Sequence, residues 1–393
     1  MVSFADIEMN QTENHPTHLV GWLKAVSRGD PFPAPDSPDE WKHLIIDARR
    51  HGFIPILWHA LKCLREGSVP AEIQHELKAV SMETAARNLL LSSELCQILQ
   101  AFRKQSIPCI PIRGVVLSEQ VFGSGTIRPT GDVDFLIRKE RLLDVRKAMA
   151  ELGFSEVEAR PGFAEAFYYA LEFLKERHFT VIVEPHWSIA YPPLTDRVDM
   201  NKVWGRSVSG KAAGVEAKLL SPEDLLIHLC LHIVHHAEEA PLLWYYEIDR
   251  LIRSEPFRPD WLLLESLIGE AGLADLACPV LWRIHSLFNT PFPDAIFGKW
   301  TAPSSNALSG RMRYLLASPE SLKGREKVAT LLQLSGFRRK LRYVLSFLFP
   351  SPRFVRIQYG VSSPLWLPIV YLKRLWYLCS QGLKTLMRFA ASG

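Results

Sequence analysis

Between Ile107 and Ile137 the chain reads IPCIPIRGVVLSEQVFGSGTIRPTGDVDFLI, a run that ends in two aspartates, Asp132 and Asp134, one residue apart. Alternate side chains on a β-strand share a face. With Val133 and Phe135 pointing into a core, both carboxylates point out of it together, and two carboxylates held that close suit a divalent cation. The residues before them complete a pattern. Ile107 to Ile112 reads as a short buried strand, Arg113 and Gly114 break it, and Val115 to Phe122 places apolar residues at helical spacing. Gly114 has no Cβ, so a bulky anion can approach the backbone there, at amides that open a helix. Strand, glycine turn, helix and then Asp-x-Asp on the next strand is a layout for a triphosphate and magnesium. Asp-x-Asp alone also occurs in turns and caps, and Gly125 and Gly131 suit flexible turns better than phosphate binding.

On Arg113-Gly114, on Arg128 to Ile137 (RPTGDVDFLI) and on Glu184-Pro185-His186-Trp187, the chain resembles the nucleotidyltransferase superfamily with the DNA polymerase β type fold. Within it, the chain is similar to a bacterial family of poorly characterised nucleotidyltransferases, and the likeness extends more weakly through Leu225 to His236. The resemblance implies an α+β fold, a small mixed β-sheet core packed with N-terminal and C-terminal helical regions. It also implies a third carboxylate on a neighbouring strand, and Glu184 closes the apolar run Phe179 to Val183 where one is wanted. Asp132, Asp134 and Glu184 would then be the catalytic, metal-holding acids, bridging two Mg²⁺ ions (or Mn²⁺) for in-line phosphoryl displacement. Relatives usually carry Lys before the glycine. Here Arg113 keeps the charge and offers a planar fork. Arg113, Gly114 and Arg128 are the candidate phosphate contacts, with Arg128 also placed to pair with the acids. The competing reading of Glu184 is a strand-end acid paired with Arg177.

Ser221-Pro222-Glu223-Asp224 has the form of a capping box that starts a helix. That helix carries His228, His232, His235 and His236, of which 228, 232 and 235 share one face. Three readings stand: a zinc site, although no acid adjoins the first His as in HExxH; a polar face paired with backbone or with Glu238 and Glu239; or, following the resemblance, a helix against the transfer cleft whose His228 and His232 contact phosphate or acceptor. His186, two residues after Glu184, shares its strand face and would join them or bind metal. Asp249, in LLWYYEIDRLI, is a candidate polar contact to the His helix.

The 393 residues predict two or three domains, and 48% hydrophobic with 22% charged residues is ordinary for a globular chain. The divisions expected are residues 1–38 disordered or linker-like, including the Pro-rich stretch Pro31 to Pro38, 39–105 helical, 106–220 the nucleotidyltransferase core, 221–326 helical, and 327–393 a basic aromatic tail. Thr301 to Arg311 reads as a loop. Scattered cysteines without CxxC, and an N-terminus without an apolar h-region, suggest reduced thiols and a cytoplasmic protein. The net charge of +4 conceals an asymmetry: residues 327–393 hold eleven Lys and Arg and no acid, leaving 35 cations against 42 acids before them. No apolar stretch in the tail reaches the ~18 residues needed to span a bilayer. Three readings of it stand: packing on the acidic body, amphipathic helices on an anionic membrane surface at the inner face, or nucleic-acid binding, which the negative body disfavours. The function expected is NMP transfer from an NTP to a hydroxyl-bearing acceptor, whether small molecule, sugar, peptide or protein. The alternatives are a non-catalytic nucleotide sensor and a membrane-peripheral interaction protein.

Overall fold

In the computed structural model, residues 17–28, 37–61, 69–157, 162–236, 239–294, 336–359 and 364–391 are described, with a few isolated positions between them. The expectations for residues 1–16, most of Pro31 to Pro38, and Thr301 to Arg311 lie outside the described residues.

Four helices lead in: α1 (Thr17–Arg28), α2 (Pro38–Arg50), α3 (Ile54–Leu61) and the long α4 (Ala71–Lys104). α2 starts where its sequence dictates: the Ser37 side chain accepts from the Glu40 amide and Pro38 occupies the first turn. There follow β1 (Cys109–Pro111), α5 (Val115–Phe122), β2 (Asp132–Ile137), α6 (Leu142–Glu151), β3 (Ser155–Glu156), a short α7 (Phe163–Phe167), β4 (Phe173–Glu176) and β5 (Thr180–His186). The fold is α+β, and its sheet has the order β1-β2-β5-β4-β3, in which only the β2–β5 pair is parallel. β1 is shorter than the apolar run Ile107 to Ile112 predicts, yet the Ile112 amide still bonds to the Asp134 carbonyl at 3.1 Å, so the chain stays beside β2 up to Arg113.

After β5 come α8 (Met200–Arg206), the hairpin β6 (Val208–Ala212) and β7 (Val215–Leu219), and then α9 (Pro222–His236), α10 (Leu242–Arg253), α11 (Trp261–Glu270) and α12 (Ala274–Phe288). Ser221 caps α9 as the sequence predicts: its hydroxyl accepts from the Asp224 amide at 3.2 Å and lies 3.1 Å from the Asp224 carboxylate. The periodic stretch from Trp261 to Phe288 is two helices, because Gly272 takes a positive φ of 61° and turns the chain between them.

Two apolar cores result. One packs the Val133, Phe135, Val181 and Val183 face of the sheet against Leu95, Ile98 and Phe102 of α4 and Val145 and Met149 of α6. The other joins α1 to α3 with α9 to α12 through Trp22, Phe53, Tyr246 and Phe288, and reaches the opposite face of the sheet at Leu136 and Ile110. α4 therefore serves both, and its polar groups lock the sheet in place. Glu94 is buried and takes Lys175 at 2.7 Å and Arg177 at 3.0 Å. Asn88 donates to the carbonyls of Gly125 at 2.8 Å and Arg128 at 2.6 Å, pinning the loop that delivers β2.

The tail forms α13 (Phe337–Leu348), α14 (Pro352–Tyr359) and α15 (Leu367–Ala391). Tyr343 of α13 packs on Phe163 and Phe167 of α7 with ring centroids 6.1 and 5.0 Å apart, and Arg374 of α15 bonds the Phe347 carbonyl at 2.9 Å. Part of the tail thus packs on the body. Among the described residues, no helix is long and apolar enough to cross a membrane.

Asn88→Ala removes the bonds to the part-buried Gly125 carbonyl and to the buried Arg128 carbonyl, the latter keeping only its Thr130 hydroxyl donor. Urea denaturation is expected to show a loss of about 1–3 kcal/mol with an unchanged slope; an unaltered midpoint would refute the pinning role.

Candidate active site

The parallel register of β2 and β5 sets Asp134 beside Glu184 and Leu136 beside His186. Paired residues on adjacent strands project from one face, so Asp134, Glu184, His186 and, by alternation, Asp132 share the face opposite Val133 and Phe135. The sequence predicts a face pointing away from the core. It is instead largely covered: Asp134 is 2% exposed and His186 0%, and only Asp132 and Glu184 are partly open to solvent.

His186 Nε2 lies 3.2 Å from Asp134 Oδ1 and 3.4 Å from Glu184 Oε2. These are ion-pair distances, at which neither ring nitrogen of His186 nor Asp134 Oδ1 completes a hydrogen bond. Buried polar atoms are rarely left so. The three residues each offer a ligand atom, all within 4.8 Å of one another. A divalent cation fits this set: it would satisfy the orphaned oxygen and nitrogen together.

Asp134 spends its other oxygen on Arg113, whose Nη2 lies 2.7 Å from Oδ2. Arg113 reaches it because β1 runs antiparallel to β2 and ends just before it. Burial by itself would raise the Asp134 carboxyl, but Arg113 and then His186 hold it well below the usual carboxylate range. Asp132, facing the Asp134 charge and partly desolvated, is pushed up to about 7. Glycine is required at 114 because φ is +61° and a Cβ would meet Thr130 Cγ2 at 3.1 Å and the Asp132 carbonyl at 3.2 Å. The close approach seen is therefore that of the chain's own loop.

α9 supplies the cover. Arg113 Nη1 sits against the His232 ring, 2.5 Å from Nε2 and 2.8 Å from Nδ1, and the Tyr191 hydroxyl is 2.8 Å from Nδ1. Arginine can only donate, so His232 must be neutral, in keeping with burial and Arg113 both depressing its pKa. His228 donates from Nδ1 to the Ile189 carbonyl at 2.8 Å, which leaves Nε2 as a buried acceptor without a partner. Burial, then Arg113, pulls its pKa down to about 3. The only cation cluster among the described residues is the Asp134, Glu184, His186 set, and no three of the α9 histidines form one.

Arg128 does not pair with the acids. It is buried and bonded to Glu247 of α10, with Nε to Oε1 at 2.5 Å and Nη2 to Oε2 at 3.4 Å. Arg177 is taken by Glu94, not Glu184. Asp249 spends its carboxylate elsewhere than on the His helix, on Arg253 at 2.9 Å and Thr290 at 2.6 Å. Sequence reasoning passed over Tyr191, Glu247 and Asn88. Glu247 carried a signal, being an acid inside the apolar helix LLWYYEIDRLI; Tyr191 carried none.

Residues 37–289 match the family described as "Uncharacterised nucleotidyltransferase". No curated protein matches the chain. Among solved structures, the chain is similar to the antibiotic-resistance factor ANT(2'')-Ia in solution, at 15% identity and a TM-score of 0.32, over 50% of this chain and 97% of that one. It is also similar to a tRNA-processing enzyme in its apo form, at 12% identity and a TM-score of 0.20, over 82% and 94%. At these scores neither likeness bears on function.

Glu247→Ala strands the Arg128 guanidinium in a buried position, and denaturation is expected to show a loss of about 3–5 kcal/mol. The double variant Glu247→Leu with Arg128→Met should recover most of it. A single variant as stable as the parent would refute the staple.

Proposed function

The chain belongs to the uncharacterised nucleotidyltransferase family, and from that premise we propose that it transfers an NMP from an NTP to a hydroxyl-bearing acceptor, releasing pyrophosphate. The observation that supports this most is the pairing of Asp134 with Glu184 on adjacent strands, with Arg113 on the glycine turn bonded to one oxygen of Asp134 and the other oxygen unpartnered.

In this proposal Asp132, Asp134 and Glu184 hold Mg²⁺, two ions in the full complement, with Mn²⁺ as a substitute. When bound, the ions neutralise phosphate charge and the charge developing on the entering and leaving oxygens. Glu184, partly open to solvent, accepts the proton of the attacking hydroxyl. Arg113 and the amides after Gly114 hold phosphate oxygens against developing charge. His186, His228 and His232 line the same space; His232 and His228 are neutral there and orient rather than carry charge. Arg128, committed to Glu247, acts by fixing the loop that presents Asp132.

Calorimetry with each of the four NTPs and Mg²⁺ tests this. The parent is expected to bind one NTP in a metal-dependent way, Asp134→Asn at least 100-fold more weakly, and radiolabelled NMP should be transferred into a lysate component. No binding, or binding indifferent to the substitution, would overturn the proposal.

A second proposal concerns the tail. Leu365, Trp366, Leu372, Trp376 and Tyr377 are 55–85% exposed, on a segment whose charges are all positive. Interfacial tryptophans beside lysine and arginine suit an anionic bilayer surface. Flotation with vesicles containing anionic lipid should recover the parent and lose Trp366→Ala with Trp376→Ala, and high salt should weaken it. Equal flotation of parent and variant would remove this reading.

A further inference from the structure

The cluster on the site face differs from an all-carboxylate Mg²⁺ site in one respect: its most buried member is an imidazole. His186 is fully buried, sits at the end of β5 with its ring edge-on to Tyr169 at 5.1 Å, and directs Nε2 at the two carboxylates. The geometry points to a nitrogen-bearing cation site, Asp134 Oδ1, Glu184 Oε2 and His186 Nε2, that takes a first-row transition ion, Mn²⁺, in preference to Mg²⁺. This inference rests on the nucleotidyl-transfer reading and deepens it by naming the ion and its third ligand.

Three observations carry it. The first is spacing. Two ligands each ~2.1 Å from a common metal lie about 3.0 Å apart at an octahedral right angle and about 3.4 Å apart at a tetrahedral one. The observed edges are 3.2 Å from His186 Nε2 to Asp134 Oδ1 and 3.4 Å to Glu184 Oε2. Such distances also suit an ion pair between the imidazole and the carboxylates, and the three ligand atoms as a set lie within 4.8 Å of one another.

The second is partnership. Asp134 Oδ1 and both nitrogens of His186 are buried with no hydrogen-bond partner, whereas Asp134 Oδ2 is occupied by Arg113. The carboxylate is thus divided between two cations, and a metal ion can take Oδ1 while Arg113 keeps Oδ2. No existing contact has to break.

The third is donor chemistry. Mg²⁺ requires a near-ideal shell of oxygens and sheds its waters reluctantly, while imidazole nitrogen favours the later first-row ions. Mn²⁺ accepts both carboxylate oxygen and imidazole nitrogen, and partly exposed Glu184 leaves one side of the set for water or phosphate oxygens. Zn²⁺ would bind the same set more tightly than Mn²⁺, so the preference inferred is over Mg²⁺ alone.

The test is electron paramagnetic resonance of Mn²⁺ added to the full chain. Free Mn²⁺ is counted from its six-line signal, and electron spin-echo modulation reads any directly bound ¹⁴N. We expect tight Mn²⁺ binding that resists a hundredfold excess of Mg²⁺, with ¹⁴N modulation in the parent. His186→Gln should lose the modulation and bind Mn²⁺ at least tenfold more weakly, while Mg²⁺ binding changes less than threefold. Absence of ¹⁴N modulation in Mn²⁺-loaded parent would overturn the inference, and that reading needs no variant to fold. Equal Mn²⁺ affinity in a folded His186→Gln protein would do the same, as would displacement of Mn²⁺ by equimolar Mg²⁺. The nucleotidyl-transfer reading is judged separately, by NTP binding in Mg²⁺ and its loss in Asp134→Asn. A protein that binds NTP with Mg²⁺ but shows no nitrogen ligand keeps that reading and loses this one.

Discussion

The carboxylate of Asp134 is buried and ionised, and the arrangement around it follows from that one fact. A lone buried carboxylate would cost several kcal/mol and take up a proton instead. Arg113 prevents this with a 2.7 Å ion pair. The arginine in turn has donors left over, and one of them meets His232, which must then be neutral with a lone pair available. The Tyr191 hydroxyl meets Nδ1 of that ring, and His228 is held in one tautomer by the Ile189 carbonyl. A helix rich in histidine therefore covers the acids without adding positive charge to a pocket that already contains a guanidinium.

A second buried pair, Arg128 with Glu247, has a different task. It ties the loop before β2 to α10, and Asn88 holds the same loop from α4. The loop carries the glycine-rich approach to Asp132, where propensity favours no single conformation. Fixing it from two helices that belong to different parts of the sequence places Asp132 beside the strand pair. The packing of α4 into both apolar cores makes this possible, since one rigid helix spans the sheet and the outer helices.

Much of this was legible in the sequence. The alternation around Asp132 and Asp134, the strand-end position of Glu184 and His186 and the Ser221 cap all depend on local spacing, and local spacing survives folding. Partner identity did not show. Arg128 and Asp134 lie six residues apart and look like natural partners, yet Arg128 binds an acid 119 residues away. Arg177 looked suited to Glu184 and went to Glu94 on α4. A long flexible cation can reach several acids, and which one it meets is decided by tertiary packing that no short window contains. The burial of the acid face was hidden for the same reason: strand alternation says which side chains share a face, and not what lies over it.

The covered face constrains how any anion can enter. Arg113 holds one oxygen of Asp134 through Nη2 and has Nε without a partner, so a phosphate oxygen can meet the guanidinium while Asp134 keeps its countercharge. The side chain of Glu184 is 28% exposed where that of Asp134 is 1%, so the open edge of the cluster is at Glu184 and the partly exposed Asp132. A cation entering from that edge meets Glu184 first and Asp134 Oδ1 beyond it, without crossing Arg113. An anion arriving alone from the same edge meets two carboxylates and is repelled. The electrostatics at this edge thus favour an anion that arrives with its own countercation over a free one.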